Sequence, residues 1–161
     1  MSDECASCGG TMIETRETVA YDCGLEGVML EGVTVARCPA CGEREVEVPK
    51  TLKLHEAIAT ALAGKPERLG PKEIRFLRKY LGLSGTDFAA KLGVDKATVS
   101  RWERVEAPTP MGGQAERLLR VLILSEKPVE TYSLEAVAIK EPRPSRLRFA
   151  LGRGGWHTQA A

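Results

Sequence analysis

Two Cys-x-x-Cys pairs, Cys5-Ala6-Ser7-Cys8 and Cys38-Pro39-Ala40-Cys41, constrain this chain more than any other feature. Twenty-nine residues separate them, and a glycine follows each second cysteine (Gly9, Gly42). Two intervening residues let a tight turn aim both sulfurs at one ion. A glycine free to adopt positive φ then turns backbone amides toward the thiolates. Two such turns at strand ends complete a tetrahedral shell of four sulfurs, with metal–sulfur distances of about 2.3 Å. A module of roughly fifty residues buries little core, whereas a bound zinc ion can supply on the order of 10–16 kcal/mol of folding free energy. The expected cofactor is therefore one structural zinc ion on Cys5, Cys8, Cys38 and Cys41, with no open coordination position for catalysis. A redox dithiol or two disulfides are the competing readings. A redox pair normally sits at a helix N-terminus in a βαβ setting, and one pair suffices. The fifth cysteine, Cys23, has no base near it in sequence to lower its pKa and reads as a small packing residue. His55 reads as a surface or packing histidine rather than a ligand.

Charge divides the chain of 161 residues at the same place. Residues 1–50 carry four bases and ten acids, a net of −6; residues 51–128 carry fourteen bases and nine acids, a net of +5; residues 129–161 carry five and three, a net of +2. Halves of opposite sign point to two kinds of partner. The basic half suits nucleic acid. The acidic half, made more negative by a tetrathiolate zinc, suits a basic protein. The longest apolar run, Val121–Leu124, falls far short of the roughly 18 residues of a membrane span. The acidic start Ser2-Asp3-Glu4 has no secretory character, so a cytoplasmic location is expected and no membrane partner.

Apolar patterning fills in the elements. Thr11–Tyr21 and Val28–Arg37 alternate loosely and read as two strands, with Glu45–Val48 a short third. Thr51–Ala63 carries Leu54, Ala57, Ile58, Ala61 and Leu62 at helical spacing and is stopped by Gly64 and Pro66. Helical patterns follow over Pro71–Leu81, Thr86–Leu92, Lys96–Arg104 and Met111–Leu124. The expected class is α+β: a β-rich zinc-ribbon domain holding the four paired cysteines (1–50), a helical linker (51–70) and an all-α helix-turn-helix domain (71–128). Pro142-Arg143-Pro144 and Gly152-Arg153-Gly154-Gly155 suggest that 129–161 is a flexible basic tail, disordered or associated with a dimer.

Residues 83–106 carry the helix-turn-helix pattern. Small Ala89 permits close helix approach, Gly93 allows the sharp turn, Val94 plugs the core and Asp95 is placed to cap the next helix. With Val99 at 0° and about 100° per residue, Asp95, Lys96, Trp102 and Glu103 fall within about 60° of the buried direction. Ala97, Arg101 and Arg104 fall at about 160°, 200° and 140° and face outward. In the major groove, Arg101 and Arg104 are placed to read guanine O6/N7, and Ala97 to pack on a thymine methyl. Thr98 and Ser100 flank that face and are expected to reach bases or phosphates. Lys79, Lys91, Lys96 and Arg75 are expected to meet phosphates, setting affinity and its salt dependence rather than sequence. Leu118, Leu119, Leu122 and Ile123 form the apolar face of the last helix. No clustered carboxylates, no histidine beside a nucleophile and no phosphate-binding glycine loop occur, and no enzymatic activity is expected.

The segment 83–106 with Pro108 resembles the Xre/Cro-type helix-turn-helix. The Cys-x-x-Cys pairs, the two strands, Leu30-Glu31-Gly32-Val33 and Cys38-Pro39-Ala40-Cys41-Gly42-Glu43 resemble the YgiT-type zinc ribbon. In that order, over about residues 3–127, they resemble the MqsA-type antitoxins of toxin–antitoxin modules. The resemblance implies a homodimer formed through the C-terminal domain and bound to a palindromic operator, with the zinc domain holding a small ribonuclease toxin. It carries the family's base-reading arginine onto Arg101. Two positions depart from the pattern: the family's base-reading asparagine falls on Ala97, and the usual glutamine after the serine that opens the second helix is Gly85. The function this implies is an antitoxin and transcriptional autorepressor; the alternative is a stand-alone zinc-containing helix-turn-helix regulator without a toxin.

Overall fold

The computed structural model describes residues 4–125 and 146–159. Its elements in chain order are β1 (Ile13–Ala20), β2 (Val28–Arg37), β3 (Arg44–Glu47), α1 (Thr51–Gly64), α2 (Pro71–Tyr80), α3 (Gly85–Leu92), α4 (Lys96–Trp102), α5 (Gly113–Leu124), β4 (Leu147–Gly152) and β5 (Gly155–Gln159). The class is α+β, as expected. The described residues divide into two compact units: one holds residues 4–21, 27–54 and 146–159, the other 22–26 and 55–125. Among the described residues no helix is long and apolar enough to cross a membrane.

The first unit is a five-stranded sheet organised on β2. One edge of β2 pairs antiparallel with β1. The other edge is shared end to end. β3 pairs antiparallel with Thr34–Arg37, and β4 pairs parallel with Val28–Glu31. β5 folds back on β4. The segment 147–159 is therefore a correction to the expected tail: it is a hairpin built into the sheet. Phe149 stands opposite Leu30 and is fully buried with it, worth about 1.5–3 kcal/mol per such side chain. The Trp156 indole donates to the Pro49 carbonyl at 2.8 Å. The part of the expected tail over 129–145 lies outside the described residues.

A bulge explains why the alternation in β2 is loose. Glu17 pairs with Val33 but Val19 pairs with Leu30, so Glu31 and Gly32 together oppose the single residue Thr18. Val28 and Leu30 are in one phase and Val33 and Val35 in the other. The extra residue brings all four to the same face, where they are buried. Gly32 makes this possible with φ +70°. A Cβ there would meet nothing within 4 Å, so only the backbone opposes substitution. Gly32→Ala should lower unfolding stability by about 1–2 kcal/mol, read from urea melts. Unchanged stability would show that the bulge does not need the left-handed residue.

The second unit is helical. α2, α3 and α4 pack about Ile74, Leu77, Phe88, Ala89, Val99 and Trp102, all buried, with Leu119 and Ile123 from α5. Leu118 differs from expectation: it is 41% exposed. The buried side of α5 holds charge as well as leucine. Arg120 has no exposed surface, Glu116 only 5%, and they pair at 2.7 Å. Arg120 donates to the carbonyls of Ala63, Lys65 and Glu67. Glu116 accepts from the Leu69 amide at 3.0 Å and from Arg68 at 3.1 Å. Residues 63–69, expected as a plain linker, are thus fastened along α5.

Candidate metal centre and nucleic-acid interface

The two cysteine turns are built alike. Gly9 N donates to Cys5 O and Gly42 N to Cys38 O, each at 2.8 Å. Cys5 N donates to Gly10 O at 2.7 Å and Cys38 N to Glu43 O at 2.9 Å. Gly9 and Gly42 take φ of +71° and +79°, the conformation for which glycine has no steric penalty. The first turn is closed by a Glu4–Thr11 bridge and leads into β1. The second joins β2 to β3.

These turns bring Cys5, Cys8, Cys38 and Cys41 together, with all four Sγ atoms within 4.8 Å of one another. Cys5–Cys41 and Cys8–Cys38 are each 3.5 Å apart, and all are free thiols. A sulfur tetrahedron around an ion at about 2.3 Å has edges of about 3.8 Å, so the observed cage fits one tetrahedral metal. The surroundings fit it too. Cys5 and Cys38 are buried in a cluster with Met12 and Ala36, while Cys8 and Cys41 are exposed. A Cβ on Gly10 would sit 3.3 Å from both Cys8 Sγ and Cys38 Sγ, so glycine leaves room for the cage.

Electrostatics favour a cation as well. The Cys41 amide, against some desolvation and helped by the Ala40 amide, brings the Cys38 thiol down to about 7. At Cys41 the Glu43 amide pulls the other way, but the crowding Cys8 and Cys5 sulfurs outweigh it and push that thiol up to about 12. Once one thiol ionises, a second negative sulfur beside it is opposed, and a divalent ion removes that opposition. Cys23 stands apart from the cage. Burial raises its thiol pKa above the usual range, in line with a packing role. His55 packs edge-on against Phe76, ring centroids 5.8 Å apart.

The helix-turn-helix is capped as its residues demand. Ser84 Oγ accepts from Asp87 N at 3.1 Å to start α3, and Gly93 ends it in the left-handed region. Asp95 accepts from Thr98 N at 2.7 Å to start α4. Val99 and Trp102 face the core. Lys96, Ala97, Ser100 and Arg101 are exposed on α4, with Thr98 half-buried beside them. Lys79 and Lys91 are exposed on α2 and α3.

Two expected positions differ. Arg104 is exposed, but α4 ends at Trp102 and Arg104 lies beyond its cap, Glu103. That cap residue, Glu103, is 7% exposed. Its carboxylate accepts from Arg78 at 2.6 and 2.9 Å and from Arg75 at 3.3 Å, and its carbonyl accepts from Arg75 at 2.9 Å. Arg75, expected at a phosphate, is committed to this intramolecular pair. The wheel put Glu103 on the buried side; the two arginines that keep it there on α2 were not evident from local spacing.

Residues 72–131 match a known family of helix-turn-helix domains. A search of curated proteins found none similar to the chain. Residues 72–131 are thus a helix-turn-helix domain, the fold of DNA-binding regulators, in a chain whose first unit holds four cysteines that could bind a metal ion.

Proposed function

We propose that the protein is a zinc-containing DNA-binding antitoxin that also represses its own promoter. In this reading one structural zinc ion sits on Cys5, Cys8, Cys38 and Cys41, and a homodimer places two α4 helices on a palindromic operator. The first unit holds a small basic toxin, the protein is cytoplasmic, and the chain catalyses no reaction itself. The observation that carries the reading is a four-cysteine sheet with exposed carboxylates along one face, joined in one chain to a helix-turn-helix whose reading helix exposes Lys96 and Arg101. Neighbouring rows of the sheet show the acid: Glu14 and Glu45 flank Ala36, and Arg16 and Glu47 flank Thr34, with all four charged residues exposed. That surface attracts a basic protein and repels DNA, leaving DNA to α4.

The test is a pull-down from the native host with two full-length baits, wild type and Glu45→Lys/Glu47→Lys. A small basic protein captured by the first and lost with the second supports the antitoxin. Recovery of DNA alone by both baits makes the protein a stand-alone regulator. Arg101→Ala should lower affinity for a selected duplex by about 1–3 kcal/mol and relax sequence preference at one base pair, with metal content unchanged. An unaltered footprint would remove α4 as the reading helix.

A further inference from the structure

Besides Arg75, which is held on Glu103, five cations are exposed on or near the reading helix, and the structure treats one of them differently. The side chains of Lys79, Lys91, Lys96 and Arg104 have no hydrogen-bond or ion-pair partner among the described residues. Arg101 donates from Nη2 to Thr98 Oγ1 at 2.7 Å. Thr98 Oγ1 in turn donates to Asp95 Oδ2 at 2.9 Å. The second Asp95 oxygen is fixed by the Thr98 amide at 2.7 Å, a bond that belongs to the helix cap and holds the carboxylate rigidly. The amide and hydroxyl of Thr98 keep the Asp95 carboxyl below its usual range, with Arg101 adding to the effect.

We infer that Thr98 is a positioning residue: through the Asp95–Thr98–Arg101 chain it aims the Arg101 guanidinium at a guanine, and it thereby sets the protein's sequence preference. This rests on the proposed docking of α4 in the major groove. The hydroxyl hydrogen is spent on Asp95, so the oxygen lone pairs face Arg101 and hold its fork. One of the five guanidinium donors is used, and enough remain for the two parallel bonds to guanine O6 and N7. A free arginine loses rotamer freedom on reaching a base, whereas a braced one has lost part of it already. The four unbraced cations keep the mobility suited to phosphates, which need charge more than direction. Specificity and affinity are thus carried by different side chains on one surface.

The experiment selects duplexes from a random-sequence pool with full-length, metal-loaded protein. It then measures binding of the selected duplex and of versions with each base pair changed. Thr98→Val keeps the shape and the backbone cap and removes the hydroxyl. Discrimination at a single G·C pair is expected to fall by roughly two- to tenfold, while affinity for unselected duplex and the salt slope stay as they were. Thr98→Ser should restore it. In an Arg101→Ala background Thr98→Val should change nothing further.

Equal weakening on all sequences, or an equal loss in the Arg101→Ala background, would make Thr98 a direct DNA contact and overturn the positioning role. If Arg101→Ala erases the preference while Thr98→Val leaves it intact, the brace is idle and the inference fails with the docking unharmed. If Arg101→Ala leaves the preference intact, the docking itself fails. Thermal unfolding of each variant shows that the fold is kept.

Discussion

Cys38→Ser in the full chain should lose the bound metal and unfold the first unit, while the helix-turn-helix unit keeps its fold. Cys38 is the severest choice among the four cysteines because it serves twice. Its sulfur takes the amides of Cys41 and Ala40, and it is 1% exposed beside Cys5, Met12 and Ala36. Serine offers a harder oxygen that keeps its proton at neutral pH, so the site falls to three thiolates. The sheet depends on what is lost. Its second edge is divided between two short strands, β1 is largely exposed, and the two cysteine turns tie the start of β1 to the end of β2. A metal contributing on the order of 10–16 kcal/mol exceeds what such a sheet retains. Metal analysis should give one ion per wild-type chain and none in the variant. The strand signal in far-ultraviolet circular dichroism should fall and the helical signal persist, and a strong chelator should reproduce both changes in the wild type. A variant that loses the ion and keeps its sheet would show the metal to be dispensable for folding.

Arg120→Ala should destabilise the second unit by about 3–5 kcal/mol, the cost of stripping one partner from a buried ion pair. That is a large share of the roughly 5–15 kcal/mol by which a domain is stable. Three carbonyls, those of Ala63, Lys65 and Glu67, lose their guanidinium donor. Glu116 keeps Arg68 and the Leu69 amide but loses the partner that is wholly shielded from water. Arg120→Lys should rescue little, because one ammonium cannot span acceptors that the planar fork meets on two sides. Removing both charges as Arg120→Met/Glu116→Met should cost less than the sum of the single changes, since no unpaired carboxylate is left behind. Urea denaturation monitored by Trp102 fluorescence in a Trp156→Phe background measures each term. A loss below about 1 kcal/mol for Arg120→Ala would mean that water replaces the guanidinium and that the network holds little.

The legible parts of this protein are those whose signal is local. Each cysteine turn is complete within six residues, and the α3–α4 turn is complete in Ser84, Gly93 and Asp95. Both are readable from the chain alone. The unread parts depend on distant partners. Glu116 and Arg120 are spaced as an ordinary helix-surface pair, and nothing near them reveals that their partners lie in residues 63–69. Leu118 fits an apolar stripe by composition yet is 41% exposed, because α5 buries Glu116 and Arg120 as well as leucine. The C-terminal hairpin did leave a trace. Leu147, Phe149 and Leu151 alternate ahead of Gly152-Arg153-Gly154-Gly155, which is a two-residue turn between paired glycines. Read for its glycines the segment looks unstructured; read for its alternation it is a hairpin. The mixed phase of β2 was visible as loose alternation, but only the pairing with β1 shows it to be a bulge at Gly32.

The parallel pairing of β4 with β2 also fixes an order of assembly. Strand β2 leaves the ribosome well before its neighbour, with roughly 110 residues between the end of one and the start of the other. At typical synthesis rates of about 5–20 residues per second that interval is roughly 5–20 s. Throughout it the backbone of Val28–Glu31 has no partner on that side. The module whose first residues are made earliest therefore closes late, and its half-finished border is open to whatever strand arrives first. A nascent chain of this kind is suited to handling by a chaperone, or to capture by a second newly made protein, before its own hairpin takes the place.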